Sequence, residues 1–240
     1  MTPIIVIVVL VAAALGVYAI LAKRKKAADS LREALMVHGF APCPDRHAEV
    51  ERRHNDLSST TGQGGYTIRD TYCADVAGKP VFYFMSVPPR TAARGSGIAR
   101  PRPAFMLPFT GATGRAQVWL TNSAIEARPM VSQKIKLALS TLDVEVPGSK
   151  LVKLEVPQGW VAHRVIGAIG EPGQTLDALL GNRSGAVLAD AGEHGFFQAM
   201  FGEGWLVLEN FPLAGAFSAP HGSLNEQLAF VKGLATNSRR

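Results

Sequence analysis

No acidic residue precedes Asp29, and Ile4 to Ala22 carries no charge of either sign. A secretory signal peptide has the opposite order: cations first, a shorter apolar run, then a small-residue cleavage site. Cysteine is scarce too, with only Cys43 and Cys73 in 240 residues. That excludes a scaffold held together by several disulfides, and two reduced, partly buried thiols are expected. Long linkers and low-complexity tracts are also missing. The net charge is +6, but four cations are Lys23, Arg24, Lys25 and Lys26. The remainder is only about +2, ordinary for a domain of this size. Nucleic-acid binding, which needs basic residues clustered on a folded face, is not expected.

What is present begins with that uncharged run. Nineteen residues in a helix cover roughly 28 Å, one hydrocarbon core. Pro3 sits where a helix start tolerates proline. Tyr18 lies near the charged end, where an amphipathic ring suits headgroups. The sequence predicts a transmembrane helix over 3–22, an uncleaved signal-anchor with its N-terminus outside. Lys23 to Lys26 then form a cytoplasmic stop, with anionic lipid headgroups as their partner. The predicted location is the bacterial inner membrane, single-pass, with the following domain in the cytoplasm. Ala12-x-x-x-Gly16 is a spacing that permits helix pairing and hence a homodimer.

Residues 23–39 read as a basic juxtamembrane segment and a short helix ending at Gly39. Residues 40–240 read as one α+β domain with a mainly antiparallel sheet, hairpins and a C-terminal helix; a split near 147 is the alternative. His47 to His54 forms a charged helix. "YTIRDTYCADVAGKPVFYFMSVPP" reads as a hairpin turning at Ala77-Gly78-Lys79, and "FFQAMFGEGWLVLENF" as a second, turning at Gly202-Glu203-Gly204. "AFMLPF", "AQVWLTN", "SQKIKLALSTLDVEV", "KLVKLEVPQGW" and "VAHRVIGAIG" supply further strands. "TLDALLGN" is a short helix capped by Thr175. "GSLNEQLAFVKGLA" is the C-terminal amphipathic helix, with Ser223 as its cap. Arg90, Arg94, Arg100 and Arg102 fall in a loop of small residues and prolines.

Lys23 to Lys26, "LREALMVHGF", "CADVAGKPVFYFMS", "TLDALLGN" and "WLVLEN" together resemble the layout of bacterial single-pass membrane-anchored α+β proteins of unknown function. The resemblance covers most of the chain. It implies location rather than activity, and it carries no site residues over.

The chemistry-bearing motifs are few. Cys43, His47, His54 and Cys73 have ligand chemistry in the spacing C-x3-H-x6-H-x18-C. Zinc sites close their pairs over about two to four residues, and only the first pair comes near that, so no metal is expected. Ser184 lacks the strand-turn-helix frame of a nucleophile elbow, although His163, His194 and His221 are available as bases. "GQGG" and "RGSG" lack the Lys-Ser/Thr of a phosphate loop. In "DAGEHG", Asp190, Glu193 and His194 are the candidate catalytic residues, in a stretch that reads as a turn between a strand and a hairpin. Trp119, Trp160 and Trp205 sit in or beside strands and are expected to pack. No cofactor is expected.

The leading expectation is a non-enzymatic module that binds a protein partner or a second copy of itself at the membrane. The alternatives are a membrane-tethered enzyme using Asp190, Glu193 and His194, and an envelope-facing domain with Cys43 and Cys73 paired.

Overall fold

The computed structural model describes residues 18–19, 21–22, 25–26, 28–58, 65–88, 101–122, 126, 151–181, 183–210 and 224–237. The chain divides into two compact units, Met1–Gly39 and Phe40–Arg240. In the first, the described residues up to position 37 are helical, and the helix closes in a turn where Gly39 N donates to Met36 O at 2.9 Å. Lys25 and Lys26 are helical and exposed; Lys23 and Arg24 lie outside the described residues.

The membrane expectation needs correction. Among the described residues, no helix is long and apolar enough to cross a membrane. The described helical residues from Lys25 onward include Lys25, Lys26, Asp29, Arg32 and Glu33, each costly in a hydrocarbon core, and belong to the segment expected outside it. Most of the expected span, 1–17 and 20, lies outside the described residues, as do Ala12 and Gly16. A transmembrane helix followed by a cytoplasmic domain, the signal-anchor topology and a single-pass inner-membrane location are therefore not supported. The described architecture is mostly sheet with some helix.

Among its described residues the second unit holds a nine-stranded antiparallel sheet. Its strands are β1 (Ala41–Pro42), β2 (Thr67–Val76), β3 (Lys79–Val87), β4 (Arg102–Pro108), β5 (Ala116–Leu120), β6 (Val152–Leu154), β7 (Val165–Gly170), β8 (Gln198–Gly202) and β9 (Trp205–Glu209). Their order is β1-β2-β3-β4-β9-β8-β5-β7-β6. Both hairpins close through two-residue turns whose central residues have positive φ: Ala77 and Gly78 at 54° and 77°, Glu203 and Gly204 at 52° and 77°. This turn twists in the sense that antiparallel strands require, and glycine adopts the second position without strain. In the first, Gly78 N donates to Asp75 Oδ1 at 2.8 Å.

Helices cover the sheet on both sides, so β3, β4, β8 and β9 are nearly continuous apolar runs and do not alternate. A 3-10 turn, Pro44–Arg46, leads into α1 (His47–Ser58). Val50, His54 and Leu57 recur at helical spacing and are the buried residues of α1. Val50 and Leu57 join one cluster with Ile68, Phe82, Phe84, Ala104, Met106, Met200 and Val207. Adjacent strand residues point to opposite faces. Tyr83 and Phe105, 5.2 Å apart edge-to-face, therefore lie on the other side, and Phe196 and Phe230 extend that aromatic row. There α5 (Leu224–Asn237) buries Leu228, Val231 and Ala235.

Three more helices are α2 (Gln158–Ala162), α3 (Leu176–Leu179) and α4 (Arg183–Glu193). "DAGEHG" is thus not a turn between a strand and a hairpin. Asp190 to Glu193 form the last turn of α4, and only His194 and Gly195 turn. Packing of Leu188 and Ala191 into the core outweighs the low helix propensity of Gly185 and Gly192. Past the break at Pro157, Gly159 and Trp160 belong to α2, and so do Val161 and Ala162, which the expected strand "VAHRVIGAIG" included. The strand expected over 132–146, the split near 147 and Ser223 lie outside the described residues.

Thr175 caps α3: its side chain accepts from Ala178 N at 3.2 Å. Thr175→Ala should cost about 1 kcal/mol, the usual value of an N-cap. A urea titration reads this as a lower midpoint at unchanged slope; an unchanged midpoint removes the cap's role.

Candidate functional site: a sealed histidine–glutamate pair

Beneath α1 the apolar cluster is interrupted by charge. His54, fully buried, stands where the stripe of α1 calls for an apolar residue. Glu209, 2% exposed, ends β9 and pairs in register with Ala104 of β4 and Gln198 of β8. His54 Nε2 lies 2.7 Å from Glu209 Oε1, across 155 residues of sequence. Ser86 Oγ, on β3 two residues past Phe84, which faces Ala104 in the row of Glu209, lies 3.3 Å from the same nitrogen. Arg102, paired with Ser86 across β3 and β4, brings Nη1 to 3.5 Å from Glu209 Oε2. The arginine expected in a loop is the first residue of a strand and reaches a buried carboxylate. Tyr66 and Phe84 wall the imidazole edge-on, with ring centroids 5.0 and 5.3 Å away. Nδ1 of His54 has no hydrogen-bond partner among the described residues.

Burial pushes the Glu209 carboxyl up, but His54's hydrogen bond and charge, Arg102's charge and the Ser86 hydrogen bond together outweigh it. The carboxyl therefore sits below its ordinary range and is ionised at neutral pH. Tyr66 is pushed up, by burial first and by the Glu209 charge second.

Serine, histidine and glutamate meet here, but not as a catalytic relay. A relay puts the nucleophile on one imidazole nitrogen and the acid on the other. Here Glu209 and Ser86 converge on Nε2, and Ser86 is also hydrogen-bonded to Glu209. Nε2 holds its proton for Glu209 and cannot accept one from Ser86. Chemically, the cluster can hold a carboxylate in place and tie α1, β3, β4 and β9 together.

A second polar link runs parallel to it. Gln117 Nε2 donates to Leu57 O, a carbonyl of the last turn of α1, at 2.8 Å. Gln198 Nε2 donates to Gln117 Oε1 at 3.1 Å. Asn55 clamps Tyr66 through both backbone groups, at 2.6 and 2.8 Å. Helix α1 is therefore held by directional bonds at several points as well as by apolar contact.

The candidate metal ligands are dispersed. His54 is committed to Glu209. His47 Nδ1 lies 2.9 Å from Thr71 Oγ1, and its Nε2 lies 3.7 Å from Glu51. Cys43 directly follows β1, Cys73 lies on β2 opposite Ala41, and both are free thiols. Among the described residues no group of three or more such side chains is placed to hold a metal.

Of the candidate catalytic residues, Asp190 and Glu193 are exposed on the last turn of α4. Glu193 Oε1 lies 3.0 Å from Arg164 Nη2. The His194 ring lies against Phe230, centroids 4.6 Å apart, and its carbonyl accepts from Gln227. Gly185 abuts the His163 ring, and Ser184 Oγ beside it is buried without a hydrogen-bond partner among the described residues.

Trp160 is buried and donates through Nε1 to Asp177 Oδ1. Trp205 is half-buried under the Arg53 guanidinium, 4.6 Å from its ring. Trp119 is half-buried on the face that α1 covers elsewhere.

Ser86 and Glu209 were not among the residues the sequence singled out, and Arg102 was named only as one of the loop arginines. The available signal was strand parity. Period two places Glu209 with Val207 and Trp205, so an acid falls in a buried row of "WLVLEN".

No protein-family model and no curated protein sequence matches the chain. Among solved structures, the chain is similar to that of the mycobacterial trehalose monomycolate transport factor A, TtfA, at 11% identity and a TM-score of 0.44, over 85% of this chain and 90% of that one.

Proposed function

We propose that the chain is a binding or assembly module whose sheet acts as a rigid scaffold for a protein partner or a second copy. One observation carries this reading. The cluster with the ingredients of hydrolysis, Ser86, His54 and Glu209, is sealed under α1 and wired through a single nitrogen. Its residues fix a helix to a sheet, which suits a surface that must keep its shape. Glu193 and His194 are likewise engaged by Arg164 and Phe230.

The test places a photo-cross-linking amino acid singly at Trp119, Ile169 and Val161, in the full chain in its native host. Ile169 shares the sheet face of Trp119, and Val161 is 54% exposed on α2. The expected result is one adduct of constant mass from one surface and none from the other, retained in Ser86→Ala. Mass spectrometry then separates a second copy from another polypeptide. Absence of any adduct at all three positions overturns the reading, and so does loss of cellular function in a folded Ser86→Ala chain.

A further inference from the structure

The unit Met1–Gly39 has two unlike sides. Its described residues between 18 and 37 are all helical. At roughly 100° per residue, Leu31, Ala34 and Leu35 share one side, where Leu35 is buried and the other two are half-buried. The opposite side carries Tyr18, Ala22, Lys25, Asp29, Arg32 and Met36, all exposed, Tyr18 to 72% and Met36 to 56%. Their alternating steps of four and three residues are those of a coiled-coil seam. The seam is apolar at its two ends and charged in its middle.

That arrangement is complementary to itself in one direction only. Set antiparallel against a second copy, Lys25 of each chain meets Asp29 of the other. Tyr18 then meets Met36, a sulfur–aromatic contact, and the stem of Arg32 lies over Ala22. Set parallel and in register, the same seam stacks Lys25, Asp29 and Arg32 each on its own copy, and like charges oppose one another.

We propose that the stripe of Tyr18, Ala22, Lys25, Asp29, Arg32 and Met36 docks antiparallel on the same stripe of a second copy, with Lys25 and Asp29 paired across the two-fold axis. The apolar pairs at the ends supply contact area. The two ion pairs in the centre set register and direction, which is what charged residues do in such seams. The proposal rests on the reading of the chain as an assembly module and names its partner. Its surface lies on the first unit, whereas cross-linking at Trp119, Ile169 and Val161 probes the second, so the two can fail separately.

Sedimentation velocity of the full chain over graded concentrations reads the dimer, in a non-ionic detergent because Ile4 to Ala22 carries no charge. Lys25→Asp and Asp29→Lys should each weaken dimerisation at least about tenfold, because like charges then meet twice in every dimer. An equimolar mixture of the two variants should dimerise within about threefold of the natural chain, because each supplies the charge the other lacks. A natural chain that stays monomeric at about 0.1 mM overturns the proposal. So do single variants that dimerise as well as the natural chain, the behaviour of a parallel pair or of another surface. A mixture as weak as either variant alone overturns it too. Circular dichroism checks the helix of each variant. Where a single variant loses helix, the double variant Lys25→Asp with Asp29→Lys decides. It keeps the i,i+4 pair within the helix and restores the pairs between copies, so weak dimerisation there overturns the proposal.

Discussion

Replacing Glu209 by alanine is expected to lower unfolding stability by about 3–5 kcal/mol at neutral pH. Removing one partner of a buried pair leaves the other without compensation in a low-dielectric site. Here the abandoned groups are the sealed His54 Nε2 and the Arg102 guanidinium. A whole domain is stable by only about 5–15 kcal/mol, so a large part of the fold's margin is at stake. Because the alanine chain is at risk of not folding, Glu209→Gln is the companion variant; it keeps shape and an acceptor but no charge. Replacing both members, His54→Leu with Glu209→Leu, should recover much of the loss, since a well-packed apolar pair avoids desolvation. Urea unfolding of the four chains reads all of this, and an alanine variant within about 0.5 kcal/mol of the natural chain, the range of ordinary surface changes, would sink the account.

The pH dependence has a definite sign. The folded-state Glu209 carboxyl is held below its ordinary value of 4.5. Its contribution is therefore complete above that value and is lost as pH falls through the lower folded value. The natural chain should lose stability on that acid limb by more than Glu209→Gln does. Parallel acid limbs would show that the carboxylate contributes nothing through its charge.

The second large effect is expected at Gly192. In an exposed helix, Gly→Ala stabilises by about 1 kcal/mol. Gly192 is instead a buried residue of α4, and a methyl group there falls well inside contact distance of the Thr121 carbonyl oxygen. That oxygen is backbone and cannot swing aside. Thr121 N is bonded to Arg164 O at 2.9 Å, and Arg164 has φ at 68° with its guanidinium on Glu126 and Glu193. Overpacking against fixed atoms costs about 1–3 kcal/mol. Repulsion should win over propensity, and Gly192→Ala should lower the urea midpoint. A raised midpoint would show that α4 can slide off the Thr121 loop.

These sites also mark where sequence was informative. Both hairpins were legible because their cause is local: two-residue turns at Ala77-Gly78 and Glu203-Gly204 between apolar runs. The Thr175 cap was legible for the same reason. α4 was not, because Gly185, Asp190 and Gly192 disturb its pattern, and only contacts made elsewhere in the fold restore the helix. Nor was the polar cluster. His54 and Glu209 are remote in sequence, and each alone reads as a surface charge. Only the strand order, with β9 beside β4, brings them together.

That order also bears on how the protein is made. β2, β3 and β4 pair successively, so they can assemble as soon as they leave the ribosome. The next neighbour of β4 is β9, about a hundred residues downstream, with Ala104 opposite Glu209. At ~5–20 residues per second, the β4 edge waits roughly 5–20 s for its partner. During that interval Phe105, Met106 and Leu107 belong to an open strand edge, a template for unwanted pairing. A nascent chain stalled before Trp205 should therefore be a strong client for chaperones that hold extended apolar segments, and one released after Asn210 should be a weak one.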